Sequence, residues 1–364
     1  MQNINTPSVL LNWPTAQANI RRMVDKALRH GLHLRPHFKT IQCHRIARYF
    51  RELGVNACTV SAVSMAEYFA ADGWDDITVA FPVNLREMET IEALASRISL
   101  NLLIVNAESA AFLQKKLKQP VGIFIKIDVG AGRTGLLPED EPGIENCLKE
   151  IGIGDKLGFK GFLTHAGHSY RARSKAEVLK IHEETTATLR ALKEKYRRRF
   201  PRLIISPGDT PTCSLAETWA GIDEIRPGNF PFYDVMQVQI GSCEMKDIAV
   251  ALACPVVAKH ADRQEVIIYG GGVHLSKDRL LWDGQEIYGL PVLLHGNGNG
   301  WEMPEAGCFV KSLSQEHGII RCTPSFFEKL EIGGLVGILP VHSCMMVDIA
   351  KSYLTTEGQV WEKL

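Results

Sequence analysis

Eight short apolar runs, most of them separated by helical patterns, occupy residues 12 to about 240 of this chain. They fall at 32–37, 57–60, 77–80, 102–105, 121–128, 159–165, 203–206 and 224–226, with helical patterns at 64–72, 85–96, 108–117 and 175–196. A first helix is read at 12–30, where Ile20, Met23, Val24, Ala27 and Leu28 form one apolar stripe. Pro14 suits its first turn and Gly31 its C-cap. Strands alternating with helices build either a (β/α)8 barrel or a doubly wound open sheet. The count of eight, and a usual barrel length of about 250 residues, favour the barrel.

After Gly241 the texture changes. Runs at 248–258, 265–269, 307–313, 318–321 and 335–339 are separated by turns, and glycines cluster at 270–272 and 296–300. This reads as a mostly antiparallel β domain. The expected division is an α/β barrel over residues 12–240 and a β domain over 241–364, with residues 1–11 packing against the latter.

Composition narrows the function. Of 364 residues, 45% are hydrophobic and 23% charged, as in soluble globular proteins. Lys+Arg and Asp+Glu are both 41, so no bulk charge draws the chain to nucleic acid or a membrane surface. The basic run at 193–202 reads as a solvated helix C-terminus. The first eleven residues lack a signal-peptide pattern, and no apolar stretch reaches membrane-spanning length. Nine cysteines, an odd number without a Cys-x-x-Cys, suit reduced thiols in the cytoplasm.

In a barrel the C-terminal strand ends form the active-site face, and the chemistry-bearing residues fall there. Lys39 follows the first strand in Leu34-Arg35-Pro36-His37-Phe38-Lys39-Thr40. Most lysines only solvate a surface, but one at a strand end becomes a Schiff-base nucleophile where its surroundings desolvate the ammonium. Asp128 and Arg133 follow the fifth strand, within a Gly130–Gly135 stretch that is equally an ordinary turn. His165, His168 and Tyr170 follow the sixth, although a single strand-end histidine is more often structural. Ser206-Pro207-Gly208-Asp209-Thr210 and Arg226-Pro227-Gly228-Asn229 follow the last two, with small residues and backbone N–H groups that suit a phosphate. His342-Ser343-Cys344 offers a metal-ligand pair if its i, i+2 spacing is extended, whereas a core cysteine beside a structural histidine is the commoner meaning of such a triplet.

These segments, together with Thr6-Pro7-Ser8-Val9-Leu10, Asn19-Ile20-Arg21-Arg22-Met23, Ser314-Gln315-Glu316-His317-Gly318 and Pro340-Val341-His342-Ser343-Cys344, resemble in collinear order the D-threonine aldolase and metal-dependent D-serine dehydratase family. These are pyridoxal-phosphate enzymes of the alanine-racemase fold type. The resemblance implies an N-terminal barrel, a C-terminal β domain and a homodimer. It implies Lys39 as the residue bonded to pyridoxal 5'-phosphate, and Arg133 or Arg226 near the pyridine nitrogen. Ser206, Thr210, Gly228 and Asn229 would hold the phosphate, and His165 or Tyr170 would line the ring. His342 and Cys344 would bind a divalent metal, for which imidazole plus thiolate favours zinc.

The substrate implied is a small D-β-hydroxy-amino acid. Elimination of water is favoured, with Lys39 as base; retro-aldol cleavage with His165 or His168 as base is the alternative. A racemase and a non-catalytic cofactor carrier are further readings, against which the metal pair argues. Three departures bear on substrate: Thr40-Ile41-Gln42 where Thr-His-Lys is common, Val341 where Asn is common, and Tyr269-Gly270-Gly271-Gly272-Val273-His274-Leu275-Ser276-Lys277-Asp278 where Asp-Ala-Gly is expected. His274 is either a pocket residue or a turn histidine.

Overall fold

The computed structural model describes residues 4–295 and 300–364, so most of the second glycine cluster lies outside the described residues. The chain forms two compact units, one of Arg21–Lys39 and Ile46–Gly228, the other of Met1–Ile20, Thr40–Arg45 and Asn229–Leu364. Strand β1, Ser8–Leu11, belongs to the second.

The first unit holds β2 (His33–Leu34), β3 (Cys58–Val60), β4 (Asp76–Pro82), β5 (Ser99–Ile104), β6 (Val121–Lys126), β7 (Leu157–Leu163), β8 (Ile204–Ser206) and β9 (Glu224–Ile225). β3 to β8 form one parallel sheet in sequential order, and β2 pairs in parallel with β9. A parallel bridge between His37 and Thr59 joins the β2 segment to β3, and the Asp223 N–H donates to the Ile205 carbonyl next to β9. The eight expected strands are thus all present and make a barrel, not an open sheet. β6 is buried at every residue, as a parallel strand covered on both faces must be. Side chains fill the interior, with Leu103, Phe124 and Leu163 in one cluster.

Helix starts follow the polar residues that precede them. Asn106 accepts from the Ser109 N–H at 2.9 Å, and Ser174 from the Glu177 N–H at 3.2 Å, opening helices Ala107–Lys116 and Lys175–Tyr196. The basic run that ends the latter is paired in part: Lys193 with Asp223 at 2.6 Å, Lys195 with Glu141 at 2.6 Å, Arg199 with Glu145 at 2.8 Å.

Phe38 fixes the backbone beside Lys39. Its buried ring lies 4.8 Å from those of Phe69 and Trp74 and 5.4 Å from that of Phe50. Phe38→Ala should destabilise the protein by about 3–5 kcal/mol, read from the midpoint of urea unfolding.

The second unit holds β1 and β10 (Val250–His260), β11 (Glu265–Tyr269), β12 (Leu280–Trp282), β13 (Gln285–Ile287), β14 (Gly289–Val292), β15 (Phe309–Leu313), β16 (His317–Arg321), β17 (Leu335–Pro340), β18 (Ser352–Thr355) and β19 (Val360–Glu362). A nine-stranded sheet runs β15-β16-β11-β10-β1-β18-β19, with β17 also on β10 and β14 on β17. Its pairs are antiparallel apart from β1 with β18. One apolar core gathers Val235, Ile248, Ala251, Ile287, Val292 and Leu339. No helix among the described residues is long and apolar enough to cross a membrane.

Candidate active site

In the barrel unit the strand ends converge on a group of cations. Lys39 stands beyond β2, its backbone N–H donating to His37 Nδ1 at 3.3 Å. Lys126 closes β6 as a buried residue, its Nζ 3.3 Å from Thr134 Oγ1. Burial, with Arg133 and Arg226 nearby, brings its ammonium down to about 8. The adjacent Asp128 partly offsets these cations, while its Oδ1 accepts from the N–H groups of Gly130, Ala131 and Gly132 at 2.8–3.2 Å. Burial alone would raise Asp128; these donors outweigh it and hold the carboxyl low. Asp128 is therefore the anchor of the loop that carries Arg133. Gly135 closes that loop at φ +125°, where a Cβ would meet Asp128 N at 2.7 Å.

Arg226, beyond β9, is buried. Its Nε donates to Ser206 Oγ at 2.7 Å, and its Nη2 to the carbonyls of Thr164 and Ser206. Burial lowers it only to about 10, so it stays cationic. Gly208 permits its approach, since a Cβ there would lie 2.7 Å from Arg226 Cβ. The half-buried His165 donates from Nδ1–H to the Gly208 carbonyl. Burial, then the charges of Lys39, Arg133 and Arg226, push it down to about 3. His37 is pushed well down by burial and by Lys39, Arg226 and His165. Both imidazoles are therefore neutral at neutral pH. The Tyr170 ring lies 6.1 Å from that of His165, and its hydroxyl accepts from the Thr210 N–H at 3.3 Å.

Lys39, Arg133, Arg226, His165 and Tyr170 are thus brought together, while Ser206 turns its hydroxyl to Arg226 and to Glu224 rather than to open space. His168 packs 3.5 Å from the Cβ position of Gly130, on the loop, with Nδ1 buried and unpaired among the described residues. A cluster of several cations beside a neutral imidazole and a tyrosine ring fits a planar, phosphorylated, anionic ring. Lys126 and Glu224 escaped the sequence reading; a lysine inside the apolar run Ile125-Lys126-Ile127 was the available signal for the first.

In the β unit, His342 and Cys344 are not an extended pair. Helix Ser343–Ile349 begins between them, with His342 as its N-cap, because the chain turns directly after β17. Their side chains nevertheless face each other. Burial opposes the imidazolium, but Asp278, Cys344 and Asp234 raise it to about 11. His342 Nδ1 bonds Asp278 Oδ2 at 2.7 Å, which leaves Nε2 as the remaining ring nitrogen. Cys344 Sγ lies 3.1 Å from Thr40 Oγ1 and 3.6 Å from Asn229 Nδ2. Asn229 also donates to Asp234 Oδ2 at 2.6 Å and Ser343 Oγ at 2.9 Å, so its side chain supports the His-x-Cys turn. An imidazole oriented by a carboxylate, beside a thiol and surrounded by negative charge, fits a soft divalent cation. Among the described residues no group of three or more His, Cys, Asp and Glu has metal-binding geometry, so protein donors alone would leave coordination positions open.

Two of the departures find structural roles. Gln42, at φ +43°, donates to Asp348 and accepts from Lys363 Nζ at 3.0 Å. His274 stacks edge-on against Tyr269 at 5.5 Å and accepts at Nδ1 from the Gly271 N–H at 3.2 Å, closing its own turn.

Residues 12–234 match the family described as alanine racemase, N-terminal domain, more than half of the chain. The chain belongs to that family. Residues 249–356 match a second domain, described as a putative serine dehydratase domain. Within this alanine-racemase-like group the chain is 28% identical to the D-threo-3-hydroxyaspartate dehydratase of Delftia sp., over 99% of its own length and 97% of the relative's. It is 28% identical to the D-serine dehydratase of Dictyostelium discoideum, over 97% and 93%. The D-threonine aldolase of an Arthrobacter species is 22% identical, over 94% and 86%. A solved structure of the Delftia dehydratase covers 100% of this chain and 98% of its own, with a TM-score of 0.90 at 27% identity. A Cys-to-Ala variant of D-threo-3-hydroxyaspartate dehydratase, solved in a metal-free form, gives 0.91 at 26% identity, with the same coverage.

Proposed function

We propose that this chain is a pyridoxal-phosphate- and metal-dependent lyase that eliminates water from a D-β-hydroxy-amino acid, yielding a 2-oxo acid and ammonia. The observation that carries this reading is the His342–Cys344 pair, with Asp278 on Nδ1. A racemase on the same cofactor has no use for such a pair.

Bound at Lys39, pyridoxal phosphate supplies an electron sink for charge at the substrate α-carbon, and a divalent metal supplies a Lewis acid for the β-hydroxyl. The residues of this chain divide the remaining work. Lys39 Nζ removes the α-proton. Arg226, fixed and cationic, would stand near the ring nitrogen and disfavour its protonation. Lys126 and Arg133 offset the cofactor's negative charge. His165 and Tyr170 would line the ring, and Thr210 and Gly228 would hold the phosphate, whereas the Asn229 side chain, which the resemblance also assigns there, is committed to Asp234 and Ser343. His342 and Cys344 hold the metal, which we take to be zinc. Asp278 keeps His342 Nε2 directed at it, so Asp278→Asn should weaken metal binding by roughly 10–100-fold, read by competition with a chromophoric chelator. The nine cysteines, none of them in a disulfide among the described residues, support a reducing, cytoplasmic setting, and the assembly we propose is a homodimer.

Retro-aldol cleavage, the reaction named for the Arthrobacter relative, needs a base on the hydroxyl. His165, held down to about 3, is a poor one at neutral pH, so within that alternative the base would be His168. The test is incubation with D-serine, D-threonine and D-threo-3-hydroxyaspartate, measuring ammonia, 2-oxo acid and glycine. Ammonia with an equal amount of 2-oxo acid is expected. Glycine with an aldehyde would make the enzyme an aldolase, and D-to-L interconversion without either product a racemase.

A further inference from the structure

Beside Arg226 the barrel unit carries a second set of charges, with Glu224 and Arg35 buried at its centre. Glu224 is 2% exposed and sits on β9 next to β8. Its Oε1 accepts from Ser206 Oγ at 2.7 Å, and the same Ser206 oxygen accepts from Arg226 Nε at 2.7 Å. Its Oε2 accepts from Arg35 Nε at 2.7 Å and lies 3.1 Å from His33 Nδ1. Arg35 in turn is held at both ends of its guanidinium by Asp76, at 2.7 and 2.9 Å. Arg226 has no direct carboxylate partner among the described residues, and its Nη1 makes no hydrogen bond there. Among the described residues, the hydrogen-bonded route from Arg226 to a carboxylate runs through the Ser206 hydroxyl.

A serine hydroxyl has one proton to give. Glu224 takes it, since an ionised carboxylate can only accept, so the Ser206 oxygen must present a lone pair to Arg226 Nε. The carboxylate therefore polarises the hydroxyl toward the guanidinium and fixes which edge of Arg226 is spent on the wall. Arg35 and the neighbouring donors, against the cost of burial, keep Glu224 ionised, so the relay keeps its direction across the pH range in which the protein works.

We infer that Glu224 is a positioning residue for the cofactor site, acting through the Ser206 hydroxyl to hold Arg226 in place with Nη1 left for a ligand. It touches neither substrate nor cofactor. This rests on the reading that pyridoxal phosphate binds in the barrel unit. It also removes Ser206 from the set of phosphate-holding residues, because its hydroxyl is already committed.

The experiment compares Glu224→Gln, Ser206→Ala, the double variant and Ser206→Thr with the unsubstituted protein, each loaded with pyridoxal phosphate and zinc. Each single substitution should lower kcat by about tenfold, the equivalent of one charge-assisted hydrogen bond, with KM little changed. The double variant should be no slower than the slower single one, because both interrupt one relay. Ser206→Thr, which keeps the hydroxyl, should recover most of the loss. Two readouts are independent of turnover. Glu224→Gln removes a negative charge, so the visible absorbance of the bound cofactor should titrate at lower pH. The Arg35–Glu224 pair survives in Ser206→Ala, so that variant should unfold nearly as the unsubstituted protein does. It also carries the test if Glu224→Gln does not fold. Losses of kcat that multiply in the double variant, or stability losses with unchanged kcat and absorbance titration, would show Glu224 to be a strut of the barrel and overturn the inference. Absence of any pyridoxal-phosphate binding by the unsubstituted protein would instead overturn the reading of the site, and the relay with it.

Discussion

Lys39→Ala protein is expected to fold normally, to remain without a visible absorbance band after incubation with pyridoxal phosphate, and to release no measurable ammonia from any D-β-hydroxy-amino acid. The side chain is exposed, while the neighbouring Phe38 supplies the packing, so the substitution leaves the core intact. The loss of turnover should exceed roughly 10³-fold, because one amine both bonds the cofactor and moves the α-proton, and general-base catalysis alone contributes about 10²–10⁴-fold. Borohydride reduction of the unsubstituted protein, followed by peptide mapping, should place the reduced cofactor on Lys39. Label on another lysine would move the site. Lys126 is the competitor that matters, since its lowered pKa makes it the other nucleophilic amine of the group.

His342→Ala and Cys344→Ala should each abolish both metal content and turnover while leaving the cofactor spectrum in place. Each removes one of two protein donors, and the pair has no third His, Cys, Asp or Glu to replace it among the described residues. The expected fall in kcat is at least about 10²-fold, as for loss of a group that stabilises charge in the transition state. Cys344→Ser is the more discriminating variant, because it keeps the size and the hydrogen bond with Thr40 but exchanges a soft donor for a hard one. It should bind zinc poorly. Metal analysis and absorbance spectra on the same samples separate loss of metal from loss of cofactor. A Cys344→Ala protein that retained both zinc and turnover would place the metal elsewhere.

The barrel was readable in the sequence because its strands are short apolar runs, β3 and β6 buried at every residue, a pattern that stands out without knowledge of the partners. Strands β1, β18 and β19 were not readable for the opposite reason. Ser8–Leu11 becomes a strand by pairing with Leu252 and Tyr353 and their neighbours, far away in sequence. Lys39, His165 and Arg226 follow strands of the barrel unit, whereas Tyr170, Thr210 and Cys344 stand on short helices, and what each one faces is a property of register. Asp128 looked chemical and proves to be a loop anchor, since three successive N–H groups point at one oxygen. Ser206 looked like a phosphate residue, and its hydroxyl is held between Arg226 and Glu224. Asp278 sits 64 residues before His342, and no local spacing connects the two. The helix that starts at Ser343 was hidden because Met345-Met346-Val347 reads equally well as a strand.

The account stands or falls on the joint use of pyridoxal phosphate and metal. The direct measurement is the rate of ammonia release from D-serine by protein saturated with pyridoxal phosphate, stripped of metal with chelator, and then titrated with zinc. The rate should be near zero in the stripped protein and rise to a plateau at one zinc per chain, with 2-oxo acid formed in step with ammonia and the cofactor spectrum retained throughout. Full turnover in the stripped protein, unaffected by added zinc, would contradict it.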